Sequence, residues 1–288
     1  MLLAAVTLAS VSPLAQALQK SMYVSVVDQA GAPVLDLGPS DFIVREDNVA
    51  REVLKVVPAD EPMQVAVLVD TSDAARDQIP YLRDAVPAFV NTLISGGARN
   101  QVAIVGFGER PTILADYTSN SAVLKKATDR IWANRMSGPY LLDAIFEVSR
   151  GIARREAPRP VIVAIAAEGQ ELSYRFYEQV LDQLGKSGAQ LYVLMLGSPF
   201  NGSNEEARSR ETVISRGPDQ SGGRREQVLT GIGLGGRLKL LADQLMHEYR
   251  LTYARPETLI PPEKVTVSAK GAGRTARGAL IKDSQTRQ

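Results

Sequence analysis

Gln64–Ala74 reads QVAVLVDTSDA. Its apolar run, Val65–Val69, stops at Asp70 and gives way to Thr71, Ser72 and Asp73. A short unbroken apolar run bounded by polar residues predicts a strand buried on both faces, as in parallel sheets. The polar cluster then falls at the strand's C-terminal end, where open α/β sheets place their ligands.

Downstream, strands and helices alternate, which predicts a parallel sheet with crossover helices. Ile79, Leu82, Val86, Phe89 and Leu93 recur at helical spacing over about Asp77–Ile94. Pro80 suits the first turn of that helix, Pro87 is expected to kink it, and Gly96-Gly97 to end it. Val102–Phe107 and Thr112–Tyr117 are joined by only Gly108-Glu-Arg-Pro, which predicts an antiparallel hairpin at the sheet edge. Further helices carry Leu124, Ala127 and Ile131, then Leu141, Ile145, Val148 and Ile152, then Phe176, Val180 and Leu184. Strands at Val161–Ala166 and Leu191–Leu196 lie between and after them. Leu234, Leu238, Leu241 and Leu245 mark the last helix. The fold class expected is α/β, a doubly wound, mostly parallel sheet of five or six strands between two helix layers.

No sustained period runs through Ser198–Gly231, which is expected to be a long functional or disordered loop. Its arginines, Arg208–Arg225, are accompanied by Glu205, Glu206, Glu211 and Glu226, so they read as a solvated segment rather than a phosphate-binding patch.

The two flanks are β-like. Met22–Val27, Asp41–Arg45 and Glu52–Val57 precede the α/β region after the linker Pro58–Pro62, whereas Tyr249–Tyr253, Lys264–Ala269 and Thr275–Ile281 follow it. Strands this short cannot bury a core alone. They are expected to meet in a small β-sandwich with the α/β domain inserted between its halves. The implied organisation is residues 1–17 as a signal peptide, 18–60 as an N-terminal β segment, 61–247 as the α/β domain and 248–288 as a C-terminal β segment. Met1–Ala17 supports export with an apolar stretch, Pro13 and an Ala15-Gln16-Ala17 cleavage pattern, although no basic residue precedes Lys20. A buried N-terminal helix is the alternative. The stretch is too short and interrupted to span a bilayer comfortably.

The 288 residues carry 33 basic and 32 acidic side chains, so no general field draws nucleic acid or an anionic membrane. With no cysteine, disulfides and thiolate chemistry are excluded, and His247 is the only histidine. A serine hydrolase lacks its G-x-S-x-G elbow. Gly231-Ile-Gly-Leu-Gly-Gly236 fits G-x-G-x-x-G, but the dinucleotide fingerprint requires a buried strand before it and a βαβ unit around it. Gly185-Lys-Ser187 reads as a helix C-terminus. No catalytic residue is assigned.

Strand–Asp-x-Ser–helix within an alternating α/β chain resembles the von Willebrand factor A domain. The flanks VVDQAGAPVLDLGPSDFIVREDN and HEYRLTYARP are similar to those of the von Willebrand factor A-related proteins of Acidobacteria. The resemblance covers nearly all of Tyr23–Lys282. It implies a Mg²⁺ site made of an Asp-x-Ser-x-Ser loop, a Thr in a second loop and an Asp in a third, with a coordination position left for a partner's carboxylate. Asp70, Ser72 and Glu168 are the candidate ligands here. Ala74 stands where the second Ser is expected, and Pro139 replaces the Thr within Ser137-Gly-Pro-Tyr-Leu-Leu-Asp-Ala144. Glu168, in Ala167-Glu-Gly169, replaces the Asp and reaches one methylene further. Mg²⁺ demands near-ideal octahedral oxygen coordination, so no cofactor is expected, with Mg²⁺ as the alternative.

The function implied is a non-enzymatic, exported protein-interaction or adhesion-type module with a degenerate metal site. Its partner protein is expected to bind at Asp70, Thr71, Ser72, Asp73, Ser137, Tyr140 and Glu168. A Mg²⁺-dependent ligand-binding A domain is the alternative, and a nucleotide-dependent enzyme using Gly231–Gly236 a remote one. Trp132, with Asn134, Arg135 and Met136, reads either as a partner anchor or as core.

Overall fold

A computed structural model describes residues 17–96, 99–199, 202–257 and 260–281. Residues 1–16, which carry most of the expected signal peptide, lie outside that set. So do Gly97 and the part of the C-terminal flank beyond Ile281.

The N-terminal flank supplies β1 (Ala17–Val27), β2 (Phe42–Glu46), β3 (Val49–Arg51) and β4 (Val53–Pro58). Asp47 and Asn48 take positive φ of 46° and 68° between paired Glu46 and Val49. That is the two-residue turn whose twist matches a hairpin, and Asp-Asn tolerates it better than most pairs.

The central region begins with β5 (Met63–Val69), a 3₁₀ turn over Asp73–Gln78, and α1 (Ile79–Gly96). It continues through β6 (Gln101–Gly106), β7 (Thr112–Thr118), α2 (Ser121–Thr128), α3 (Leu141–Arg155) and β8 (Arg159–Ala167). After these come α4 (Tyr177–Ser187), β9 (Gln190–Leu196), α5 (Glu205–Ser221), β10 (Arg225–Val228) and α6 (Leu234–Met246). The C-terminal flank adds β11 (Tyr249–Pro256), β12 (Val265–Ala269) and β13 (Thr275–Leu280).

The six-stranded sheet runs β10-β9-β8-β5-β6-β7, all parallel except β7, which pairs antiparallel at the edge. Every residue of β8 and β9 is buried, as strands covered on both faces require. Alternate β5 residues face opposite layers. Val65, Val67 and Val69 pack with α1, α2 and α6, whereas Ala66 and Leu68 pack with α3, α4 and α5.

The region 198–231 is not a loop. Asn204 caps α5 by accepting the Ala207 amide at 3.0 Å, and Gly222 ends it in the left-handed conformation. Val213, Ile214 and Gly217 bury its inner face, and β10 then adds a sixth strand. The polar residues outnumber this narrow apolar stripe and mask its period. The solvated reading of Arg208–Arg225 is likewise corrected at Arg210, which is buried.

The flanks form two antiparallel sheets, β13-β1-β11-β4 and β12-β2-β3. Met22 pairs with Leu251 on one side and Leu280 on the other. Met22, Val24 and Leu251 of one sheet share an apolar cluster with Phe42 and Val44 of the other. At its α/β end, Arg159 at the start of β8 meets Glu248 just after α6 at 2.9 Å, both side chains buried. This ion pair fixes where the last helix hands over to β11.

Candidate functional site

The C-terminal ends of β5, β6 and β8 converge, and Asp70 lies at their centre with no exposed surface. Its own amide donates to the Ile165 carbonyl at 2.9 Å. Its Oδ1 accepts the Ser72 amide at 2.8 Å and its Oδ2 the Ala167 amide at 3.0 Å. Asp70 therefore bridges two strand ends. Burial raises its carboxyl above the usual range, opposed by Ser72, the Ala167 amide and the charge of Arg210. Ser72 Oγ is buried here without a hydrogen bond of acceptable geometry, although it lies near enough to favour the ionised carboxylate.

Thr71 closes the neighbouring corner. Its Oγ1 accepts the Gly108 amide at 2.9 Å and its carbonyl the Asn134 amide at 2.8 Å. A Cβ on Gly108 would lie 2.3 Å from the Thr71 carbonyl oxygen, so only glycine permits this approach. The Asp73 amide donates to the Ser137 carbonyl at 3.1 Å, while its carboxylate pairs with Arg76 at the surface. Ser137 Oγ donates to Asn134 O at 2.8 Å. The Tyr140 amide donates to Phe107 O at 2.9 Å, and its ring stands 6.0 Å from that of Tyr174. Asp70 to Asp73, Ser137 and Tyr140 thus occupy connected loops at one end of the sheet.

Glu168 points elsewhere. Its Oε2 accepts from Arg210 Nη1 at 3.3 Å and its Oε1 from Gln227 Nε2 at 3.2 Å. Arg210 also donates to the Gly169 and Ala167 carbonyls, each at 3.0 Å. Its Nε is 3.9 Å from Glu171 Oε2, too long for a hydrogen bond. The Arg210, Glu168 and Glu171 side chains are respectively 5%, 9% and 0% exposed. Burial pushes the Glu171 carboxyl up to about 7, opposed by the Ser173 hydroxyl and Arg210. Ser173 Oγ donates to Glu171 at 2.6 Å and accepts the Asp143 amide at 3.0 Å, tying this loop to α3.

The donor set departs from the one that the resemblance implies for Mg²⁺. Both Asp70 oxygens hold backbone amides, Glu168 is engaged by a guanidinium, and Ala74 and Pro139 offer no side-chain oxygen. Ser72 Oγ alone is uncommitted. The Arg210 guanidinium lies against Glu168 and, at longer range, acts to lower the pKa of the Asp70 carboxyl.

The other sequence motifs resolve on geometry. Gly231–Gly236 follows a short parallel strand, β10, of which only Val228 is buried. However, a Cβ on Gly231 would fall 2.2 Å from the Tyr81 ring. The helix after it leads into the antiparallel β11 and completes no βαβ unit. Ser187 ends α4, with Gly188 as its left-handed cap. His247 caps α6, its Nδ1 2.7 Å from Asp243 O.

Residues 65–169 match the model of the von Willebrand factor type A domain. The α/β unit has the von Willebrand factor A fold. A von Willebrand factor type A protein from Catenulispora acidiphila is similar at a TM-score of 0.50 and 15% identity, over 92% of this chain and 72% of that one. The PilB minor pilin from Streptococcus sanguinis is similar at 0.47 and 12%, over 66% and 62%. Proximal thread matrix protein 1 from the mussel byssus, with a zinc-occupied MIDAS motif, gives 0.49 and 17%, over 70% and 49%. This chain therefore spans less than two thirds of the pilin and about half of the byssus protein. Comparison with curated proteins gave no match.

In this α/β unit, sequence reasoning missed Arg210, Glu171, Gln227 and Tyr174. A signal for Arg210 was present, because positions 210, 213, 214 and 217 have helical spacing. The rim of the site is apolar and exposed. Trp132 is 59% exposed with the Arg83 guanidinium 4.4 Å over its ring, which settles the open choice against core burial. Met136 is 98% and Tyr174 82% exposed.

Proposed function

We propose that this chain is a non-enzymatic, exported protein-interaction module. It binds a partner protein, without metal, through the loops at the C-terminal edge of its A-domain sheet. The observation that carries this reading is the exposed rim of Trp132, Met136 and Tyr174 around a polar corner already closed by internal partners. Aromatic side chains and arginines such as Arg83 are the groups that anchor protein interfaces. On this reading Asp70, Thr71 and Ser72 act as internal braces, while Asp73, Ser137 and Tyr140 carry contact at the surface. The metal site is then degenerate, and Arg210 stands in for its cation. Export is supported by the Met1–Ala17 pattern. Among the described residues no helix is long and apolar enough to cross a membrane.

One observation favours the Mg²⁺-dependent alternative, the uncommitted Ser72 Oγ. The buried Arg210 charge weighs against it, since a divalent cation nearby would be repelled.

The test is capture of envelope and secreted proteins by the wild-type chain and by Trp132→Ala/Tyr174→Ala, each in Mg²⁺ and in EDTA. A partner held in both conditions by wild type and lost by the double variant is the expected result. Equal retention by the variant, or loss in EDTA, contradicts the reading.

A further inference from the structure

The β-sandwich and the A domain border a cleft of about 590 Å³. One wall comes from β1, the turn after it and β13, and the other from β10 and α6. Clefts of this volume between structural units are the commonest setting for small-molecule sites.

Four arginines, Arg224, Arg237, Arg274 and Arg277, line the cleft against two acidic residues, Asp28 and Glu226. The chain as a whole is nearly neutral, so this excess is local. The two carboxylates do not balance it. Asp28 Oδ1 is held by the Ala30 and Ala32 amides at 2.8 and 2.9 Å. Glu226 is shared, pairing with Arg224 through one oxygen and lying 3.7 Å from Arg237 Nε through the other. Arg277 reaches out of the cleft to Asp219 at 2.8 Å and also donates to the Gly223 carbonyl at 3.1 Å, whereas Arg274 donates to the Lys270 carbonyl at 3.0 Å and lies 3.9 Å from Asp41.

Arg224 Nε is buried without a hydrogen-bond partner. Arg224 Nε, and Arg237 at 3.7 Å from the shared Glu226, are therefore the incompletely satisfied cations of the cleft. Guanidinium forks match the planar oxygen pairs of phosphate and carboxylate.

We propose that this cleft binds a small multivalent oxyanion, bearing phosphate or carboxylate groups, which bridges the β-sandwich to the A domain. The cations come from both units, Arg274 and Arg277 from one and Arg224 and Arg237 from the other. A ligand held by both sets joins the units and stabilises their packing.

The test uses the full chain with pyrophosphate or citrate as probe, each matched in ionic strength by sodium chloride. The expected result is saturable binding by calorimetry to at least one probe. The melting temperature should rise by about 5 °C at a hundredfold excess over Kd. Arg237→Gln changes a half-exposed side chain, so its fold is expected to be kept, and it should weaken binding about tenfold. Arg274→Gln, from the opposite wall, should do the same. Melting of both variants without anion checks that they fold. A chloride control that reproduces the shift, no binding of either probe, or undiminished affinity in folded variants would overturn the proposal.

Discussion

Arg210 on α5 meets Glu168 at the end of β8 at 3.3 Å, with both side chains almost wholly withdrawn from solvent. The pair joins the sixth-strand side of the sheet to the central Asp70 corner. Breaking a buried pair from one side leaves an uncompensated charge, which typically costs about 3–5 kcal/mol. Arg210→Ala should lower the unfolding free energy by about that much in urea titrations. A loss under about 1 kcal/mol would mean that the guanidinium is not holding the site together.

Glu171 gives the site a pH dependence of defined sign. Its folded carboxyl titrates at about 7 against an ordinary 4.5. The folded state therefore binds more protons than the unfolded state between those values. The resulting contribution is fully present below pH about 4.5 and is lost as pH rises towards 7. Glu171→Gln should remove that part of the decline and be more stable than wild type at pH 8, by up to about 3 kcal/mol. Parallel wild-type and variant stability curves from pH 4.5 to 8 would contradict this.

Asp70 is predicted to act through backbone amides. Asp70→Ala leaves the Ser72 and Ala167 amides buried without their acceptor, at about 1–3 kcal/mol each. Thermal melting should show the loss equally with Mg²⁺ and with EDTA. A destabilisation seen only with Mg²⁺ would assign the carboxylate to a metal instead.

The rim should behave in the opposite way. Trp132→Ala and Tyr174→Ala remove exposed rings, and surface changes of this kind usually stay near ±0.5 kcal/mol. Trp132→Ala also loses the contact with Arg83, worth about 0.5–1 kcal/mol at an exposed site. Unfolding curves close to wild type are expected. A loss of several kcal/mol in either variant would make the rim part of the fold rather than a contact surface.

The contrast between braces and rim also explains what the sequence revealed. Val65–Val69, Val161–Ala166 and Leu191–Leu196 were legible because strands buried on both faces must be continuously apolar. The corner at Asp70 followed from where the first of these runs stops. α5 was not legible, since its buried face, Ser209, Arg210, Val213, Ile214, Gly217 and Pro218, carries only two large apolar side chains among many charged neighbours. The partner of Glu168 depends on the register of that helix, so its carboxylate read as a displaced metal ligand. Trp132 could not be placed from sequence because its exposure is set by the 132–140 loop lying across Thr71, a contact between distant segments.

The central claim is that Arg210 and backbone amides, rather than a metal, satisfy the carboxylates at the end of the sheet. Calorimetric titration of the chain with millimolar Mg²⁺ tests it most directly. No saturable heat is expected, either for wild type or for Asp70→Asn. A saturable wild-type isotherm that disappears in Asp70→Asn would contradict it.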